Sequence, residues 1–110
     1  MNQYLYRISP VRPEMLTDGP TPEEQQIVGE HFQYLKQLEA DGKLILAGRT
    51  QNTDYSSFGI ALFFADDDTA AKAILHNDPA VKKRVMRGEV YPYQLAIFNA
   101  ANYDKGVVSE

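Results

Sequence analysis

His31 and His76 are the only imidazoles in this 110-residue chain, which has no cysteine. Thiolate chemistry, disulfides and cysteine metal sites are excluded, and a His-rich metal site lacks ligands. His31 sits inside an apolar periodicity. With Ile27 at zero and about 100° per residue, His31 falls near 40°, between Leu38 at about 20° and Leu35 at about 80°. Two readings fit that position. One is a core histidine satisfied by a carbonyl or a water. The other is a tunable general acid/base, since an unperturbed imidazole titrates at about 6.5. No second histidine lies three or four residues away, which argues against a metal.

Asp78, in Asn77-Asp78-Pro79, is the candidate partner. Plain helix capping is one role for it. A capping carboxylate can also accept from an imidazole, orienting the ring and stabilising its charged form. Asparagine caps about as well as aspartate, so on capping alone Asp78→Asn should cost little. Arg49 closes the run Ala47-Gly48-Arg49-Thr50 at a strand end, where clefts form. It reads either as a surface ion pair or as a clamp for a carboxylate or phenolate oxygen. Gly48 beside it would permit close backbone approach. Arg12, in a Pro-rich loop, is a substrate-binding candidate of the same kind. The cluster Lys82, Lys83, Arg84 and Arg87 reads as a solvated basic face. Tyr4, Tyr6, Tyr91 and Tyr93 read as sheet packing rather than as proton donors.

These residues need elements to hold them. Gln3–Ser9 is predicted to be a strand and residues 10–20 a loop, with three prolines and a glycine. Thr21, Pro22 and Glu24 spell a capping box with proline at the first helical position, opening a helix to about Asp41, where Gly42 stops it. Lys43–Thr50 and Ser57–Ala65 are predicted strands. One of Asp66, Asp67 and Asp68 caps a helix to about His76, which sits in its last turn, where positive charge is favoured. Asp78 and Pro79 start a short third helix to about Met86, ended by Gly88. Glu89–Asn99 is a last strand in which Pro92 implies a bulge or an edge. Residues 1–99 form one domain and 100–110 a loose tail, where Val107 and Val108 are apolar enough to dock.

The order β-α-β-β-α-(α)-β predicts an α+β, ferredoxin-like fold: a four-stranded antiparallel sheet with helices on one face. Yet both alternation sets of Ser57–Ala65 are apolar: Phe58, Ile60, Leu62 and Phe64 in one, Ala61, Phe63 and Ala65 in the other. One face would stay wet in a monomer, so a homodimer packed sheet to sheet is expected. Net charge is −4, which argues against a nucleic-acid partner. No signal peptide or membrane-length apolar run is visible, so a cytoplasmic protein away from membranes is the default.

Several stretches together resemble the YciI-like (YCII-related) family. They are Glu30-His31-Phe32-Gln33-Tyr34-Leu35, Gly42-Lys43-Leu44-Ile45-Leu46-Ala47-Gly48, Asn77-Asp78-Pro79-Ala80-Val81 and Tyr91-Pro92-Tyr93. Their order and spacing cover about residues 3–98. The resemblance implies a dimeric α/β-barrel of ferredoxin-like type and a site built on a His–Asp pair, carried here onto His31 and Asp78. It places Ala47-Gly48-Arg49 at a strand end lining the same cleft. Some relatives eliminate HCl from chlorinated aromatic breakdown products, and the fold is similar to that of muconolactone isomerases.

Two functional classes are consistent with these residues. The first is an enzyme without cofactor or metal, using the His–Asp pair for proton transfer on a small polar or aromatic-derived metabolite, as an isomerase, dehydrohalogenase or other lyase, or hydrolase. The second is a non-catalytic small-molecule-binding or accessory domain using the same cleft. They separate on whether His31 faces the cleft. Haem-dependent monooxygenation on such a barrel would need an exposed axial ligand, and no residue marks one.

Overall fold

Strand alternation and helix caps resolve into nine elements in the computed structural model, which describes residues 1–109. They are β1 (Asn2–Pro10), α1 (Glu14–Thr17), α2 (Pro22–Ala40), β2 (Leu44–Arg49), β3 (Gly59–Ala65), α3 (Asp68–Asn77), α4 (Pro79–Lys82), β4 (Met86–Pro92) and α5 (Ala100–Ser109). The strands form one antiparallel sheet in the order β2-β3-β1-β4. This is the expected ferredoxin-like α+β arrangement. Among the described residues no helix is long and apolar enough to cross a membrane.

The core lies between the sheet and its helices. Tyr4, Tyr6 and Ile8 of β1 and Ala61, Phe63 and Ala65 of β3 point the same way and meet Ala71 and Leu75 of α3. The other alternation set includes Leu5, Ile60, Leu62 and Phe64, with Leu5 opposite both Leu62 and Tyr91. It faces away from this core.

The first long helix starts as its sequence dictates. The Thr21 hydroxyl accepts from the Glu24 N–H at 3.1 Å, and Glu24 Oε1 accepts from the Thr21 N–H at 2.8 Å. Gly42, at φ 76°, turns the chain out of α2. Glu24 is also gripped by Arg12, whose Nε and Nη2 donate to its two oxygens at 2.9 and 2.6 Å. The fork ties the loop before α2 to the helix's first turn, with α1 folded between them and Met15 buried. Residues 10–20 are therefore not all loop.

The C-terminal third departs most from the sequence expectation. The helix after Asp78 stops at Lys82, and a left-handed Arg84 (φ 62°) turns the chain, so no glycine is needed there. Gly88 instead lies inside β4, which runs Met86–Pro92 rather than 89–99. A Cβ on Gly88 would sit 2.9 Å from both Ile8 and Leu75 side-chain carbons. The glycine lets α3 and β1 close on β4. Pro92 ends this edge strand, where a missing N–H is harmless. Residues 100–109, expected as a loose tail, are helical, and the Asn99 side chain accepts from the Ala101 N–H at 3.0 Å. The side chain of Val108 lies outside the described residues.

The start of α2 sets two expectations for stability. Thr21→Ala removes the acceptor and should cost about 0.5–2 kcal/mol in chemical denaturation. Glu24 is held from the ordinary 4.5 down to about 2, chiefly by hydrogen bonds from Arg12 and then by the Thr21 N–H. A lowered folded-state value means its contribution is present above pH 4.5 and lost as pH falls toward 2. Arg12→Ala should flatten that acid limb of the stability profile and leave the slope near neutrality unchanged.

Candidate functional site

Asp78 ends α3 and caps α4, and its side chain is fully buried (0% exposed). Three donors from three elements converge on it. Oδ1 accepts from the Ala80 N–H at 2.9 Å, the ordinary cap. Oδ2 accepts from the Tyr6 hydroxyl of β1 at 2.7 Å, and His31 Nδ1 of α2 lies 2.7 Å from the same oxygen. A carboxylate already accepting on both oxygens calls for a donor on that third side, so Nδ1 carries the proton. When the ring is neutral, that tautomer leaves Nε2 as the unprotonated nitrogen. The His31 side chain is 16% exposed. The structure thus joins His31 and Asp78, which the sequence could only place on separate elements.

Two tyrosines attend the carboxylate. Burial first, then the charge of Asp78 and its hydrogen bond, pushes the Tyr6 phenol far above its usual value. Tyr34, half-buried on α2, donates to the Ile74 carbonyl at 2.7 Å and is pushed up to about 12 by burial and by Asp78. Both keep their protons at neutral pH. Tyr6 also packs on Phe63, centroids 5.8 Å apart. The sequence reading caught only that packing role. What could have flagged Tyr6 is its hydroxyl on the inward set of a central strand, which needs a buried acceptor.

His31 and Tyr6 line a cavity of about 620 Å³ between α2, the α1 loop and the β2–β3 side of the sheet. Its wall is mostly apolar, with Met15, Leu16, Phe32 and Phe58 among the contributors. Ala47, Gly48 and Arg49 also line it. Arg49 stands opposite Gly59, in the same alternation set as Ala47 and Ala61, so it shares the helix-covered face with the imidazole. It makes no ion pair among the described residues. Gly48 is not required for close approach: a Cβ there would meet nothing within 4 Å. Arg12 is not among the lining residues, because its guanidinium is taken by Glu24. The basic residues of 82–87 stay on the exterior, with Lys83 paired to Glu30 at 2.8 Å.

The chain is thus a small ferredoxin-like α+β domain with an imidazole–carboxylate pair set between α2 and the central strand β1. The chain belongs to the YCII-related family, whose domain matches residues 6–94. Among solved structures it is similar to 5-chloro-2-hydroxyhydroquinone dehydrochlorinase from Burkholderia phenoliruptrix, in complex with 2,5-dihydroxybenzoquinone. That likeness has a TM-score of 0.63 at 19% sequence identity and covers 86% of this chain and 95% of the other. No curated protein matches the chain.

The carboxylate's geometry revises one expectation. Asparagine would cap α4, but it has one acceptor oxygen where Asp78 uses two. Its amide must face either the Ala80 N–H or the paired Tyr6 and His31 donors. Asp78→Asn should therefore destabilise the fold by about 1–3 kcal/mol in denaturant. It should also shift the neutral His31 ring away from the Nδ1-protonated tautomer in ¹⁵N NMR. An unchanged midpoint with an unchanged tautomer would show that the contact with His31 is incidental to the cap.

Proposed function

We propose that this protein is an enzyme that moves a proton on a small, oxygen-bearing ring metabolite in the cavity beneath α2. The observation that supports it best is the aim of His31. Its Nδ1 is spent on a buried carboxylate, 2.7 Å away, and the same side chain lines the cavity. A core histidine needs one such partner; it does not need a cavity on its other side. His31 Nε2 is the acid/base. Asp78 fixes the tautomer and offsets the charge when the ring becomes imidazolium. Arg49, at the cavity wall, pairs with an anionic substrate oxygen, with the Gly48 backbone beside it.

Elimination of HCl from a chlorinated polyhydroxybenzene illustrates the chemistry. His31 takes the proton of one ring hydroxyl, and the oxygen's electron pair forms a carbonyl as the chlorine-bearing carbon accepts a proton. A second hydroxyl then loses its proton, its electrons complete the quinone, and chloride leaves with the C–Cl pair. The net loss is HCl, and the departing chloride carries the electrons. Isomerisation or hydrolysis would use the same shuttle with other leaving groups. The solved dehydrochlorinase makes this the first substrate class to try.

The reading includes a homodimer packed through the outer sheet face, where Ile60 and Phe64 lie outside the monomer's core.

A chlorinated hydroxyhydroquinone is the probe substrate, and chloride release is the readout. His31→Asn should lower kcat by about 10²–10⁴-fold. It should leave the binding of 2,5-dihydroxybenzoquinone within a few-fold of the parent. Arg49→Ala should act mainly on KM. Binding without turnover, indifferent to His31→Asn, would make the chain a non-catalytic binding domain.

A further inference from the structure

The chain beyond β4 does not settle on its own domain. Its departure is fixed: the Tyr93 N–H donates to the Gln3 carbonyl at 3.0 Å, and the Leu95 N–H to the Gln3 side chain at 2.9 Å. Gln3 belongs to the outward set with Leu5 and Arg7, so the segment leaves at the outer sheet face. Past Leu95 the segment carries four large apolar side chains that stand in solvent. Ile97 is 91% exposed, Phe98 63%, Tyr103 71% and Val107 55%. Among the described residues, α5 makes no extensive packing contact with another element. Four large apolar side chains along about a dozen residues are not a solvated tail, because a helix so short gains its stability from packing an apolar face.

The same chain carries a groove with no occupant. At the end of β2 and β3, the outward residues Leu46, Gly48, Thr50, Phe58 and Ile60, together with Ala47 and Arg49, line about 310 Å³ of open volume. It lies at the Arg7–Ile60 end of the sheet, whereas the arm leaves at the Gln3–Phe64 end. The two apolar surfaces thus sit apart within one molecule. The accessible area measures how much is unpaired. A monomer of this mass should expose about 6,100 Å², and this one exposes 7557 Å². The surplus of roughly 1,400 Å² exceeds the ~800 Å² each partner gives to a standard interface. The radius of gyration, 14.7 Å, is likewise above the ~13 Å of a compact domain of about this length.

We propose that residues 96–107 form an exchanged arm: in a dimer of this chain, Ile97, Phe98 and the apolar side of α5 seat on the outer-face groove of the second copy. Two-fold symmetry makes each protomer both donor and acceptor, so two grooves and two arms close on each other without an open edge. Ala47, Gly48, Arg49, Phe58 and Ile60 line this groove as well as the site cavity, so the two adjoin at the strand end. The partner's arm therefore covers the outer side of the strand end that carries Arg49. This rests on the proposed sheet-to-sheet dimer, but a dimer could form without the arm, and the experiment separates the two.

The absence of native cysteine makes cross-linking clean. The full-length double variant Phe98→Cys/Leu46→Cys, oxidised at micromolar concentration, should give a covalent dimer on non-reducing gels, with each single variant far slower. A cross-link within one chain would overturn the proposal, as would no cross-link above the single-variant background. Phe98→Asp in the full chain should weaken dimerisation by at least tenfold in sedimentation dilution series, with the far-ultraviolet circular dichroism of the domain retained. Dissociation unchanged in Phe98→Asp would overturn the arm and leave the sheet dimer standing. A parent protein that is monomeric at these concentrations would overturn both.

Discussion

One buried carboxylate organises the molecule. Asp78 joins the end of α3 to the start of α4, and its oxygens receive a backbone N–H, the hydroxyl of the central strand β1 and the imidazole of α2. A buried charge is tolerable only when its lone pairs are engaged, and losing one donor leaves the rest in a low-dielectric interior. The distance from α2 to the sheet, the rotation of α2 about its axis and the place where α3 must stop are therefore not independent. They are three ways of satisfying the same two oxygens. This is also why the imidazole does not wander. Its ring is held by a group that is itself held from two other directions, which is what a positioned acid/base requires.

The sequence was informative where a residue's conformational role is local. Thr21, Glu24, Gly42 and the Asp78–Pro79 pair mark helix ends by direct hydrogen bonding or backbone preference, and the structure realises each. The placing of His31 within the apolar stripe was legible for the same reason, since helical rotation is local arithmetic. The convergence of Tyr6 on Asp78 was not. Seventy-two positions separate them, and a tyrosine on a strand looks the same whether its hydroxyl meets water or a carboxylate. Gly88 was misread because a glycine after a short helix has two explanations, a left-handed stop or a close contact. Only the approach of Ile8 and Leu75 distinguishes them. Arg12 was misplaced because a guanidinium in a loop can satisfy any nearby carboxylate, and here it is engaged by both oxygens of Glu24.

The C-terminal segment shows a different limit. Pattern-based reading looks for a partner face within the chain. Ile97 and Phe98, expected at the end of a long last strand, and Tyr103, expected in a tail, are largely exposed instead. Their apolar content becomes meaningful only beside the outer sheet face, which has the complementary problem.

Packing differs between the two ends of the helix-facing surface of the sheet. At the β4 edge the packing is so tight that Gly88 has no room for a methyl group, and α3 rests directly on the strands. On the β2 and β3 side the cavity is lined by Ala47, Arg49 and Gly59, and α2 spans it without filling the space. The two helices thus rest on a wedge: closed on one side, open on the other. The volume available to a ligand is then set from beneath, by strand residues that do not touch the His31–Asp78 pair. Enlarging Ala47 or Gly59 would raise that floor and select for smaller rings while His31 and Asp78 stay as they are. Divergence in substrate size can proceed along β2 and β3 without disturbing the chemistry under α2.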